Sequence, residues 1–304
     1  MTDRQPGRSE SARSERSGRP SRTRQRILRS TAVLPSLFTV SNGLSGFAAI
    51  HFATRSGLAH AAPADLRTSA LLIFLAMVFD MLDGRVARMT RRTSDFGAQL
   101  DSLSDAVSFG AAPAMLMVQT VIMAMRGHQS FLGDAVMVER VVWCIAGVYL
   151  ACAEMRLARF NVENEPDESA HMHFSGLPSP GAAAAVASLV LLLVWVMGFD
   201  EGWRSGDWLP ALVSVLLPAM TLVTGLLMVS RLRYSHVVNQ YVRGRRPFSY
   251  IVKLVVIVLA LFIEPMVTLA VVTTGYALSG PAGWLWRRRG QDRKAAVAGQ
   301  TGPQ

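Results

Sequence analysis

The stretch that decides the fold is S-A-L-L-I-F-L-A-M-V-F-D-M-L-D-G-R-V-A-R-M-T-R-R-T-S-D-F-G-A-Q-L-D-S-L-S-D, residues 69–105. It opens as an apolar run of bilayer-spanning length, about 20 residues. It closes on four aspartates, Asp80, Asp83, Asp101 and Asp105. Asp80 and Asp83 are i, i+3 on one helix, and Asp101 and Asp105 are i, i+4 on the next, so each pair shares a face. Carboxylates at a membrane helix are costly and mark function by default. The basic connection between the pairs contains Gly84 and Gly97, which lets the two acid faces lie side by side.

The rest of the chain fits the first half of that stretch. Of 304 residues, 51% are hydrophobic and 17% charged, too apolar a balance for an ordinary soluble domain. Further apolar runs give expected spans at about 34–53, 69–88, 105–125, 138–156, 180–198, 209–229, 249–263 and 266–284. Glu264-Pro265 interrupts the last pair, which is either two crossings or one re-entrant hairpin. The class expected is all-α, a polytopic membrane bundle.

Charge placement orients it, because cytoplasmic loops carry excess Lys and Arg. Eight spans put both termini on one side. On that side nine basic residues fall in 1–33, four in 85–100, two in 156–178, five in 230–248 and five after 285. The opposite loops hold Arg55, Arg67, Arg126, Arg140 and Arg204. Cytoplasmic termini follow, and the net charge of +10 is explained by loops that attract anionic membrane lipids. Basic residues are not interleaved with aromatics as nucleic-acid binding requires, so no nucleic-acid partner is expected. Residues 1–33, rich in Arg and Ser, read as a disordered cytoplasmic tail. Residues 34–284 read as the membrane-embedded domain, and 285–304 as a second basic tail. Cys144 and Cys152 offer neither a disulfide framework nor a thiolate metal site.

Four converging carboxylates repel one another unless cations sit among them. An all-oxygen donor set favours Mg²⁺, Mn²⁺ or Ca²⁺ over zinc. Two such ions can clamp a pyrophosphate, so phosphoryl-type transfer to a hydroxyl is the chemistry expected of the site. An ion-coupled transporter would also carry intramembrane acids, yet no paired repeat with broken helices is visible.

Residues 80–105 fit D-x2-D-G-x2-A-R-x8-G-x3-D-x3-D at every fixed position: Asp80, Asp83, Gly84, Ala87, Arg88, Gly97, Asp101 and Asp105. In this the chain resembles the CDP-alcohol phosphatidyltransferase family. The resemblance implies a core of six transmembrane helices, with two more here, a homodimer, and a site open to the cytoplasmic leaflet. It implies that Asp80, Asp83, Asp101 and Asp105 hold two divalent cations and that Asp105 takes the acceptor's proton. Gly84 is then the nucleotide's point of close approach, Arg88 a contact to the CDP moiety, and Ser94 a hydroxyl near the nucleotide, with Gly97 completing the nucleotide-binding set. Many members carry P-N-x-x-T in the first span. Here Pro35 is followed by Ser36, with Thr39 matching and Ser36 standing in for Asn.

Members of the family differ in the acceptor alcohol. Asn42-Gly-Leu-Ser-Gly46, Asp105-Ala-Val-Ser-Phe-Gly-Ala-Ala-Pro-Ala114, Arg156-Leu-Ala-Arg-Phe-Asn161 and Phe174-Ser-Gly-Leu-Pro-Ser-Pro180 are similar to stretches of the members that use L-serine. That similarity implies CDP-diacylglycerol and L-serine as substrates, and phosphatidylserine and CMP as products. Arg156 and Arg159 can meet the serine carboxylate, or anchor the helix by charge. Asn161 can hold the ammonium or cap the helix, and Asn42 is a further candidate for the substrate. Glycerol 3-phosphate, an inositol phosphate and choline remain the alternative acceptors.

Overall fold

The computed structural model describes residues 22–55, 63–90, 95–125, 135–163, 176–232 apart from 197–207, Tyr234, and 248–300. All the described elements are helical. They are α1 (Arg22–Arg55), α2 (Pro63–Thr90), α3 (Asp95–Asp105), a π-helical turn (Ala106–Ala111), α4 (Ala112–Met125), α5 (Ala135–Glu163), α6 (Ser179–Val196), α7 (Trp208–Val229), α8 (Phe248–Ile263) and α9 (Pro265–Gln300). The start of α2 is marked by a proline whose missing N–H costs nothing in a first turn, followed by Asp65 toward the positive end of the helix dipole.

The eight expected apolar spans fall on eight helical rods, since α3, the π turn and α4 run on as one. Phe96–Met125, Val136–Val162 and Ser179–Val196 are each long and apolar enough to cross a membrane, and Val215–Val229 is a shorter apolar helix. The rods outrun the apolar runs at both ends of the chain. Backbone helix reaches Arg22 in the segment expected to be a tail, and α9 continues through the basic residues after 285. Arg, Lys, Gln and Ala are good helix formers, and extending a nucleated helix is far easier than starting one. At Glu264 the interruption is local: Glu264 N–H donates to Ala260 O at 2.9 Å and Thr268 N–H donates to Glu264 O at 3.0 Å.

Small residues set the packing. In a bilayer helices gain no hydrophobic drive toward each other, so close backbone approach and van der Waals contact must hold them. Central α6 supplies Ala182, Ala183, Ala185 and Ala187, all buried, and packs on α2, α7 and α9. Helix α1 lies along α2 and crosses α3 and the π turn through its glycines. A Cβ on Gly46 would stand 2.6 Å from Ser108 Cα, so a side chain there would force α1 off the turn. The outward faces are apolar, as in Leu44, Phe47, Val256 and Phe262, which suits lipid rather than water.

The π turn has an identifiable cause. Pro113 has no N–H, so the carbonyl four residues earlier, that of Phe109, loses its usual partner. The helix widens there, with Ala112 N–H bonding back to Val107 O. The stranded Phe109 carbonyl instead accepts from the hydroxyl of fully buried Tyr149 on α5, at 3.1 Å. Insertions of this kind recur at functional sites. This one begins at the residue after Asp105.

Candidate active site

Three of the four aspartates converge. Asp80 from α2 and Asp101 and Asp105 from α3 each offer a carboxylate oxygen, and the three oxygens lie within 4.8 Å of one another. Asp105 is buried, and Asp80 and Asp101 are partly so. Asp83, also buried, stands beside this group within electrostatic reach of Asp80 and Asp101, and its Oδ2 accepts a hydrogen bond from Thr39 Oγ1.

Helix α1 reads both acid pairs with one face. Thr39 and Asn42 are i, i+3, so they point the same way. Thr39 serves Asp83, and Asn42 Nδ2 donates to Asp105 Oδ1 at 2.9 Å. Asn42 is wholly buried, its backbone carbonyl accepts from Ser108 Oγ of the π turn at 2.9 Å, and its Oδ1 has no partner among the described residues. An orphaned buried carbonyl costs about 1–3 kcal/mol. The amide is thus held at the site for the carboxylate it contacts. Sequence similarity suggests Asn42 as a substrate contact, whereas its contact in the structure is to Asp105.

The remaining candidates take different positions. Gly84 is exposed, and a Cβ built on it meets nothing within 4 Å, so the helix surface beside Asp83 is open on the protein side. Arg88 lies one turn further along α2; its side chain, and the whole of Ser94, fall outside the described residues. Gly97 lies in α3, half-buried, one turn before Asp101. Ser36 is half-buried one turn before Thr39 on α1.

On the far side stands α5. Arg156 is partly buried within electrostatic reach of Asp105 and Asp80, and its Nη1 donates to Ser179 Oγ at 2.6 Å. Arg159, i+3, is exposed. Asn161 exchanges hydrogen bonds with Ser102, its Nδ2 donating at 2.9 Å and its Oδ1 accepting at 3.1 Å, which ties α5 to the residue after Asp101. With α5 running to Glu163, Asn161 lies inside the helix and does not cap it.

Sequence reasoning missed three contributors. Ser179, Tyr149 and Ser108 matter only through partners 23, 40 and 66 residues away. Pro113 was the one local signal, since it predicts an unpartnered carbonyl at Phe109.

Comparison with known proteins adds an independent observation. The model of the family described as CDP-alcohol phosphatidyltransferase matches residues 32–208. The chain is 34% identical over 179 residues to a CDP-diacylglycerol–serine O-phosphatidyltransferase of Mycobacterium tuberculosis, covering 58% of this chain and 54% of the relative. It is 36% identical over 175 residues to the protein of that name from Methanocaldococcus jannaschii, covering 58% and 67%. To that of Helicobacter pylori it is 27% identical over 254 residues, covering 84% and 92%. The chain thus spans about half the length of the mycobacterial relative.

Proposed function

Because this chain belongs to the CDP-alcohol phosphatidyltransferase family, we propose that it transfers the phosphatidyl group of CDP-diacylglycerol to the hydroxyl of L-serine, giving phosphatidylserine and CMP. The observation that carries the reading is the buried Asp105 carboxylate, fixed by Asn42 within a group of acids that faces Arg156.

The residues present fit divalent cations. The donor set is all oxygen, and the carboxylates of Asp80, Asp101 and Asp105 are close enough to share one ion. With Asp83 beside them, the four would hold two ions, Mg²⁺ or Mn²⁺, with Ca²⁺ a further fit for the donors. When bound, the cations would neutralise the pyrophosphate and the charge that develops on the leaving CMP.

The chain's own groups do the rest. Asp105 takes the proton from the serine hydroxyl as its oxygen forms a bond to the lipid-side phosphorus, while the bond from that phosphorus to the CMP oxygen breaks. Asn42 N–H occupies Oδ1 of Asp105 and fixes the carboxylate plane, so orientation is set before the substrate arrives. Gly84 leaves the α2 surface open for the nucleotide, and Arg88 supplies a fixed cation to its phosphates. Thr39 holds Asp83 in place. Arg156 offers the serine carboxylate a cation on the opposite side from α1. A phosphorylated acceptor would call for a denser cluster of inward-turned cations than this one.

The charge asymmetry of the loops supports a cytoplasmic face for both termini and the site's opening, with basic loops against anionic lipids and the diacylglycerol chains in the bilayer. A homodimer is part of the proposal.

Purified protein with CDP-diacylglycerol, Mn²⁺ or Mg²⁺ and a panel of labelled alcohols tests it. Serine-dependent CMP release is expected. Silence with every alcohol would overturn the enzyme reading. Release with inositol phosphate and none with serine would overturn the acceptor alone.

A further inference from the structure

Residues 176–180, Gly-Leu-Pro-Ser-Pro, have a structural purpose that leads to a second residue beside Arg156. Gly176 takes φ +101°, a conformation open to glycine, and a Cβ there would run into Met228 O. Its N–H donates to Leu232 O at 2.8 Å, and Leu177 N–H donates to Leu227 O at 3.0 Å. The segment is thereby strapped to the end of α7, and α6 starts at a fixed point with Ser179 under Arg156.

Two residues on, Gly181 leaves room for a ring from α9. A Cβ at Gly181 would stand 3.0 Å from Tyr276 Cε1. The Tyr276 ring also meets that of Tyr234, with centroids 6.0 Å apart, and Tyr234 is itself pinned by donating to Ala277 O at 2.8 Å. One turn earlier on α9, Thr273 and Ser188 of α6 share a hydrogen bond of 2.6 Å. The Tyr276 ring is clamped, yet its hydroxyl has no hydrogen-bond partner among the described residues. It lies within electrostatic reach of Arg156, whose guanidinium commits one N–H to Ser179 and has no other protein acceptor among them.

We propose that Arg156 and Tyr276 together form the subsite for the acceptor's carboxylate, with Tyr276 as a specificity-determining residue contributed by α9. A carboxylate accepts from both an N–H fork and an O–H, and a charge-assisted pair of this kind fixes orientation as well as affinity. Helix α9 lies beyond residues 32–208, which the family model matches. It therefore adds to the shared nucleotide chemistry a part of the site suited to the acceptor. This inference rests on the acceptor being an amino acid.

The test is Tyr276→Phe, which keeps the ring on Gly181 and removes only the hydroxyl. Wild-type protein is first assayed for serine-dependent CMP release; none would overturn the functional reading and take the subsite with it. Given that activity, Tyr276→Phe raises KM for L-serine about tenfold, the expected loss of one hydrogen bond to a charged group. KM for CDP-diacylglycerol and the melting temperature stay as in wild type. A serine KM within twofold of wild type overturns the proposal, as does a rise matched by CDP-diacylglycerol. Tyr234→Phe serves as the packing control. It should lower the melting temperature and leave the serine KM alone; an equal rise in serine KM would mean that ring packing, and not the Tyr276 hydroxyl, is responsible.

Discussion

On the proposed mechanism Asp105 and Asn42, joined by a hydrogen bond, divide one task between a group that reacts and a group that aims it. Asp105→Asn should abolish turnover while the protein stays folded, since the change removes a negative charge from among Asp80 and Asp101. Near-normal CMP release by that variant would remove Asp105 as base. Asn42→Leu keeps the volume and deletes the N–H that fixes Oδ1. A hydrogen bond to a buried carboxylate contributes about 1.5–3 kcal/mol, so kcat should fall roughly ten- to a hundredfold with KM for CDP-diacylglycerol little changed. A kcat within a factor of two would show that the carboxylate needs no such guide. The aspartates were legible in the sequence because four acids at i, i+3 and i, i+4 spacing on apolar helices violate what a membrane tolerates. Asn42 was legible as a candidate substrate contact, by similarity of its stretch, and not as the partner of Asp105. Its partner lies 63 positions away, and no local pattern encodes that distance.

At the scale of the element, the π turn shows how one residue type shapes a site without touching it. Pro113 strands the Phe109 carbonyl, and Tyr149 takes it up. The two residues should therefore be energetically coupled. Tyr149→Phe leaves a buried carbonyl unpaired and should cost about 1–3 kcal/mol. In a Pro113→Ala background the new N–H can reclaim that carbonyl, so the same change should cost less. A double-mutant cycle read by denaturant or thermal unfolding measures the difference. Additive losses would mean that the hydroxyl and the proline act separately. The rods themselves were legible from apolar runs. The turn was not, because a single widened turn shifts the side-chain register by one residue and hydrophobicity shows nothing of it. The reach of α1 back to Arg22 was hidden for a related reason: apolar length marks where lipid lies and not where backbone hydrogen bonding stops.

Over the whole molecule, the bundle's sidedness and its chemistry are one question. Asp80 and Asp83 sit toward the C-terminal end of α2, next to Arg85, Arg88, Arg91 and Arg92, so on the proposed topology the side on which Lys and Arg accumulate is also the side on which the site opens. Eight crossings, as the apolar runs lead one to expect, would put residues 1–33 and the residues after 285 on that face as well, and the connection at 126–134 on the other. Single cysteines placed at Ser11, Ser130 and Gln291 in a protein lacking Cys144 and Cys152 make this checkable with a membrane-impermeant thiol reagent. In sealed inside-out vesicles Ser11→Cys and Gln291→Cys should label at once and Ser130→Cys only after detergent; right-side-out vesicles should invert the pattern. If the two termini label from opposite faces, the parity is odd, and the break at Glu264-Pro265 is the place to look, for α8 and α9 crossing together as one kinked rod would lower the count by one. The hydrogen bonds that carry helix across Glu264 suit one continuous rod, whereas a re-entrant hairpin needs a reversal there and removes two crossings, which leaves the parity even. If all three sites label from the same face, the positive loops do not orient this bundle, and the site's cytoplasmic opening falls with them.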